Sequence, residues 1–377
     1  VFGFLHGNLC EKDAGAGEES KEINAKEGVN VPKTNENDLE AGGGIAEINS
    51  AGVILSHYRD RYGLNLGQVC DGICSKSKLS RLERGIRCVD SLTSSQLLER
   101  IGKTADQFEQ LLNDEDHALW CARESIRKLM QYREYDRVRE ALSAYRAMKN
   151  SAPGIHEQFC SYQEVLIAVD QLENSENTQD SQQYEQIKLC EHALRTLCLT
   201  KQKFVPGSGG RQLYTSTEIG LILLMVHYGK DYGDVRAEEI LLDLFRHVER
   251  YDAEHRKQKT GYRILMELIR LEQRMQNPDM ELAYINQGID FVAQGREIEG
   301  LDRLHFLRAQ ALLRRYRAAT EKGNLSAAGD HDARKEIQRE CLMAYSICGV
   351  FGDRQQMETI RRFCGEELRW QITGLEM

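Results

Sequence analysis

The sequence predicts an all-α protein in two parts: a compact set of short helices, then a long array of helical hairpins. Three observations carry this expectation. Only four prolines occur, at positions 32, 153, 206 and 278, in a chain rich in Leu, Glu, Arg, Gln and Ala. From Ala51 onward apolar residues recur at helical spacing, punctuated by capping residues and glycine stops. Beyond residue 115 a weak repeat of about 40–50 residues emerges, with related turn sequences such as Tyr-Arg-Glu-Tyr-Asp at 132–136 and Gly-Val-Phe-Gly-Asp at 349–353.

Composition sets the outer limits. Apolar residues make up 41% of the 377 positions, enough to fill real cores in two domains. The eleven cysteines are scattered, with no CxxC pairs at zinc spacing, and read as reduced, small apolar side chains of a cytoplasmic protein. No cofactor or metal is expected. The longest apolar run, Ile219 to Val226, is eight residues including a glycine. A membrane span needs about twenty, so no membrane partner is expected. The opening Val-Phe-Gly-Phe-Leu-His lacks the basic region and the apolar stretch of a signal peptide. Residues 1–48 hold four lysines against ten acids, a net −6, with few large apolar residues after Leu9. They are expected to form a flexible acidic tail, because so little apolar surface does not offset the entropy of ordering.

The elements then follow in order. Ile54, Leu55 and Tyr58 give a first helix its apolar face, and Gly63 ends it. Asn65 caps a short second helix through Leu66, Val69 and Cys70. Gly72 permits a sharp turn, Ser75 caps a third helix, and Gly85 stops it in the left-handed conformation. Ser91 or Thr93 caps a fourth helix with Leu97, Leu98 and Ile101 inward, stopped by Gly102. Thr104 opens a fifth with Phe108, Leu111 and Leu112. Five short helices over residues 51–113 match the size of a small helix-turn-helix domain.

The third helix carries the chemistry. Leu79 and Leu82 are three apart and share an inward face. The opposite face carries Ser77, Ser80, Arg81 and Arg84, with Lys76 and Lys78 at its flanks and Arg87 just past the stop. From Lys76 to Arg87 five basic residues face one acid, Glu83, a local charge of +4 in a chain of net charge −9. That concentrates a positive field at one point. Ser77, Ser80 and Arg81 are donors sized for base edges in a major groove, and Ser75, the cap, is counted with them among the DNA-binding residues. Arg84 and Arg87 sit where phosphates run, and Lys76 and Lys78 at the flanks complete the DNA-binding set. The expected partner is double-stranded DNA.

The run Val69-Cys70-Asp71-Gly72-Ile73-Cys74-Ser75, followed by Leu79-Ser80-Arg81-Leu82-Glu83-Arg84-Gly85 and later Leu97-Leu98-Glu99-Arg100-Ile101-Gly102, resembles the Xre/Cro-type helix-turn-helix of Gram-positive regulators. Among these it is most similar to the group that joins this domain to a tetratricopeptide-like array, the Rgg/PlcR/PrgX-type peptide-pheromone (RRNPP) regulators. Leu66-Gly67-Gln68 departs from the Ser/Thr-Gln-Glu usual at the second helix, so no nucleic-acid contact is assigned there. The resemblance implies a transcription regulator of quorum-sensing type, a homodimer whose second domain senses a short signalling peptide.

Over residues 115–377 helix pairs are expected at Asp116–Met130 with Tyr135–Met148, Ile155–Leu172 with Gln183–Leu199, Thr215–Tyr228 with Val235–Tyr251, and Thr260–Met275 with Met280–Gln294. Leu301–Thr320, Arg334–Cys348 and Arg354–Arg369 complete an α-solenoid of tetratricopeptide-like hairpins. The strict 34-residue consensus is not met. Stacked hairpins form a concave face suited to peptides. Arg263, Glu267, Arg270 and Arg274, spaced 4, 3 and 4, form one polar stripe there. Arg308 and Arg315 form a shorter one, and Asn286 is placed to bond a peptide backbone. Taken singly, each also fits a solvated face laced by Glu–Arg pairs. No enzyme constellation emerges: His192, His227, His247 and His255 have no partner at metal-ligand spacing, and no G-x-S-x-G occurs. The competing expectation is a helical-repeat adaptor that acts on signalling proteins through protein contacts.

Overall fold

A computed structural model describes residues 50–104, 114–148, 154–174, 179–202, 204, 212–229, 234–251, 254–295, 298–321 and 327–372. Among them are fifteen α-helices and no strand. The first four are α1 (Ser50–Arg61), α2 (Leu66–Cys70), α3 (Lys76–Glu83) and α4 (Ser91–Glu99). Asn65 starts α2 with a capping box: its side chain accepts from the Gln68 N–H at 3.0 Å, and the Gln68 side-chain Oε1 accepts from the Asn65 N–H at 2.9 Å. Gly72 takes φ +71° and lets the chain reverse before α3. Ser75 caps α3 by accepting from the Lys78 N–H at 3.2 Å, and Gly85 closes it at φ +69°.

At α4 the expected cap is corrected. Neither Ser91 nor Thr93 holds the position. Asp90 does, accepting from the Thr93 N–H at 3.0 Å and from the Thr93 hydroxyl at 2.7 Å. A carboxylate satisfies both donors at once, whereas the Ser91 N–H and hydroxyl are drawn to Asp116 on the following helix. Residues 1–48, expected as an acidic tail, and 105–113, where the fifth short helix was expected, lie outside the described residues.

The array runs α5 (Asp114–Gln131), α6 (Tyr135–Met148), α7 (Gly154–Glu173), α8 (Gln179–Cys198), α9 (Ser216–Tyr228), α10 (Asp234–Tyr251), α11 (Glu254–Met275), α12 (Pro278–Gln294), α13 (Leu301–Glu321), α14 (Ala327–Phe351) and α15 (Arg354–Glu367). α11 and α14 start a turn or more earlier than their apolar periods predict. Their leading stretches, Glu-His-Arg-Lys-Gln-Lys and Ala-Ala-Gly-Asp-His-Asp, hold almost no large apolar residue, so periodicity does not mark them. Consecutive helices pack on one another, and α7, α9 and α11 also touch, so the first helices of successive hairpins form a layer. α9 lies deepest. Ile219 to Val226 is buried on every side, which accounts for the longest apolar run in the chain.

Two apolar clusters result. The larger joins parts of α7 and α8 to α9–α15. The smaller joins Leu55, Leu79, Leu82, Leu98 and Ile101 of the first four helices and their edge to Ile126, Leu142 and Ile155 of α5–α7. The helix-turn-helix therefore does not stand apart: its core runs on into the first hairpin of the array.

Candidate nucleic-acid interface

The interface is built outward from α3. Leu79 and Leu82 are fully buried against α1 and α2, which turns the other side of the helix to solvent. Ser75, Lys76, Ser77, Arg81, Arg84 and Arg87 are exposed, and Lys78 and Ser80 are half-buried. The Ser75 hydroxyl is engaged as the cap. Arg84 bends back, its Nε donating to the Ser80 carbonyl at 3.2 Å, so its guanidinium lies along the last turn. Lys76, Lys78, Ser77, Arg81 and Arg87 have no side-chain hydrogen bond or ion pair among the described residues. The single acid of the helix, Glu83, is held by Arg59 of α1 through two bonds of 2.7 and 3.1 Å. The hydrogen bond that Arg59 donates to Glu83 raises the Arg59 pKa against the pull of burial. Glu83 is thus neutralised from behind, and the outward cations keep their uncompensated charge.

Behind the turn lies a buried polar seam. Arg100, at the end of α4, is fully buried. Its Nη1 donates to the carbonyl oxygens of Val69 (3.1 Å) and Asp71 (2.5 Å), the two that flank the end of α2. Its Nη2 donates to Oε1 of Glu218 at 3.0 Å, and both side chains of this ion pair are 0% exposed. Glu218 sits in the first turn of α9. It also accepts from the Thr200 hydroxyl at 2.7 Å and from the Thr215 N–H at 2.8 Å. Burial alone would push its carboxyl upward, but Arg100, Lys201 and these two donors outweigh it and hold it below the usual carboxylate range.

The seam extends on both sides. A Cβ at Gly72 would overlap the Thr200 carbonyl, so the turn before α3 presses directly on the array. Lys201 lies 3.7 Å from Asp71, and burial with Arg100 nearby lowers its pKa to about 8. Glu99 accepts from the Ser216 N–H at 2.9 Å. At the far end of α4, Asp90 lies 3.2 Å from His156 Nε2, and Tyr145 links His156 to Arg123.

Of the seam residues the sequence singled out only Gly72, as a turn; Asp71, Glu99 and Arg100 entered only within the quoted runs, and no buried pair was expected of any. Two signals existed: an arginine inside the apolar Leu97–Ile101 segment, and the Thr215-x-x-Glu218 capping box directly before the most apolar helix.

In the array, Glu267 is buried and lies 3.0 Å from His227 Nδ1 of α9, with Arg270 against the same ring. Burial pushes the Glu267 carboxyl up, but His227 and Arg270 prevail and its pKa is lowered. Arg263 is half-buried, its charge acting on Tyr162 of α7. Arg274, Asn286 and Arg315 are exposed. Arg308 bonds Glu340 of α14 at 2.7 Å. The structure therefore gathers Glu267 and Arg270 around His227 and sends Arg308 to a separate cluster. Among the described residues no group of three or more His, Cys, Asp or Glu side chains is placed to hold a metal, and no helix is long and apolar enough to cross a membrane.

Fold and site together define an all-helical protein that mounts a helix-turn-helix on an array of helical hairpins. The chain is similar to the crystal structure of Bacillus thuringiensis PlcR in complex with the peptide PapR7 and DNA. The two are 14% identical, the match covers 83% of this chain and 99% of that one, and the TM-score is 0.41. It is also similar to ComR from S. thermophilus in complex with DNA and its signalling peptide ComS (17% identity, 83% and 98% coverage, TM-score 0.35). ComR from Streptococcus suis matches at 11% identity over 83% and 93% of the two chains, with a TM-score of 0.32. No protein-family model and no curated protein sequence matches the chain.

Proposed function

We propose that this chain is a cytoplasmic, DNA-binding transcription regulator whose helical array senses a ligand, a short signalling peptide, and that it works as a homodimer by binding rather than by catalysis. The observation that carries the reading is the outer face of α3. Its cations have no counter-charge among the described residues, because Arg59 takes up the one acid. In this reading Ser77, Ser80 and Arg81 meet base edges, while Lys76, Lys78, Arg84 and Arg87 meet phosphates. Ser75 holds the helix start that aims them. Arg263, Glu267, Arg270, Arg274, Asn286, Arg308 and Arg315 are the proposed peptide contacts. A peptide that prefers one arrangement of the array shifts the population toward it and changes the spacing of two half-sites in the dimer. The free thiols among the described residues fit a reducing compartment.

The test is selection of bound duplexes from a random pool by the full chain, followed by affinity measurement across salt. With about four phosphate contacts, log K is expected to fall with log salt at a slope of about −3 to −4 per subunit. Failure to retain any duplex at modest ionic strength overturns the proposal.

A further inference from the structure

The two carbonyls that end α2 are held by a residue whose counter-charge lies on another part of the molecule. α2 is only five residues long, and the Ile73 N–H bonds the Cys70 carbonyl instead of reaching back to Val69. Val69 O and Asp71 O are satisfied by the Arg100 guanidinium. Arg100 is 0% exposed, so its charge depends on a buried anion. That anion is Glu218, 118 positions away in sequence. Glu218 is in turn fixed by Thr200 and Thr215, and the Thr200 carbonyl abuts Gly72. The turn before α3 is thus gripped from inside by Arg100 and from outside by the Thr200–Lys201 strand of backbone.

We propose that Glu218 is a positioning residue for DNA recognition: through Arg100 it sets the direction in which α3 leaves the turn, so base readout depends on where the first turn of α9 sits. This rests on the DNA-binding reading above. It makes the N-terminus of α9 the point at which a change in the array is felt by the recognition helix. If α9 withdraws, the guanidinium loses its partner, must find water, and releases the α2 carbonyls. Non-specific attraction to phosphate persists, because the outer cations are untouched, whereas the alignment that base edges demand is lost.

The experiment uses the full chain and the duplex that the wild type enriches from a random pool, with a scrambled duplex as reference. Glu218→Gln keeps the size of the side chain and its role in the capping box but removes the charge. Arg100→Lys keeps the charge but not the fork that spans two carbonyls. At equal folded fraction, the ratio of selected to scrambled affinity is expected to fall about tenfold or more in both variants, with scrambled affinity unchanged. Amides of residues 70–84 are expected to exchange about tenfold faster without DNA. A purely structural role would lower the folded fraction and leave the ratio intact. A wild-type ratio in either folded variant overturns the positioning role while the DNA reading stands. If the wild type enriches no duplex, the DNA reading fails and the positioning role goes with it, even where the amides exchange faster.

Discussion

The face of α3 and the surfaces of the array use the same cationic side chains to opposite ends. In the array several arginines sit against acids of other helices: Arg146 with Glu157 and Glu164, Arg308 with Glu340, Arg314 with Glu281, Arg317 with Glu367. Each pair cancels its own field within a few ångströms and ties one helix to another. On α3 the pairing is inverted. The only acid is drawn inward to Arg59, and Lys76, Lys78, Arg81 and Arg87 are left outward without one. A short helix whose one acid is drawn inward, with its cations left outward, has the surface charge that the proposed contact with a polyanion needs. The seam between the two regions is a third case, in which charges are paired but out of water.

The seam gives the largest expected departure from this pattern. Lys201 has a folded pKa of about 8 against 10.5 for the free side chain, so the unfolded chain binds the extra proton between those values. Stability then rises with pH across roughly 8 to 10.5, and below 8 the full cost is present, about 3 kcal/mol by the linkage relation. Thermal unfolding of the wild type should therefore gain on Lys201→Met as pH rises through that window, with the variant ahead at pH 7. A constant gap between the two across pH would show that the lysine does not titrate there.

Arg81→Ala addresses the α3 side of the comparison. If Arg81 reads a base, the variant loses about 1–3 kcal/mol on the selected duplex and little on a scrambled one. Titration of both duplexes distinguishes this from phosphate contact, which would cost equally on each and flatten the salt slope. The smallest effect is expected on the array side. Arg317 and Glu367 are about half exposed, so Arg317→Gln should change stability by less than about 1 kcal/mol and leave DNA affinity unaltered. A DNA effect from Arg317→Gln would mean that array charges share in the interface, and the contrast drawn above would not hold.

Much of the helical layout was legible because its signals are local. Asn65, Ser75, Gly72 and Gly85 occupy the cap and turn positions their chemistry predicts. The spacing of Leu79 and Leu82 alone tells which face of α3 points away from the core. The cap of α4 was misplaced, by one residue for Ser91 and by three for Thr93. Ser91 has the right chemistry for it, but Asp116, twenty-five positions on, competes for its donors. The polar stripe of α11 was legible as a stripe. That Glu267 turns in to His227, while Arg308 leaves for α14, depends on neighbours contributed by other hairpins.

The division follows from the range of the forces involved. Helix propensity, capping and apolar period act within a few residues, so the sequence by itself determined the all-α class, the position of nearly every described helix, and a third helix with a basic outer face. Burial and charge pairing depend on which distant segments meet. Only the tertiary structure decided that Glu83 is answered by Arg59, that the helix-turn-helix shares its core with the first hairpin, and that Arg100 finds its anion on α9. An ion pair closed across 118 residues leaves no periodic trace in the chain; it exists only once packing has excluded water from both charges.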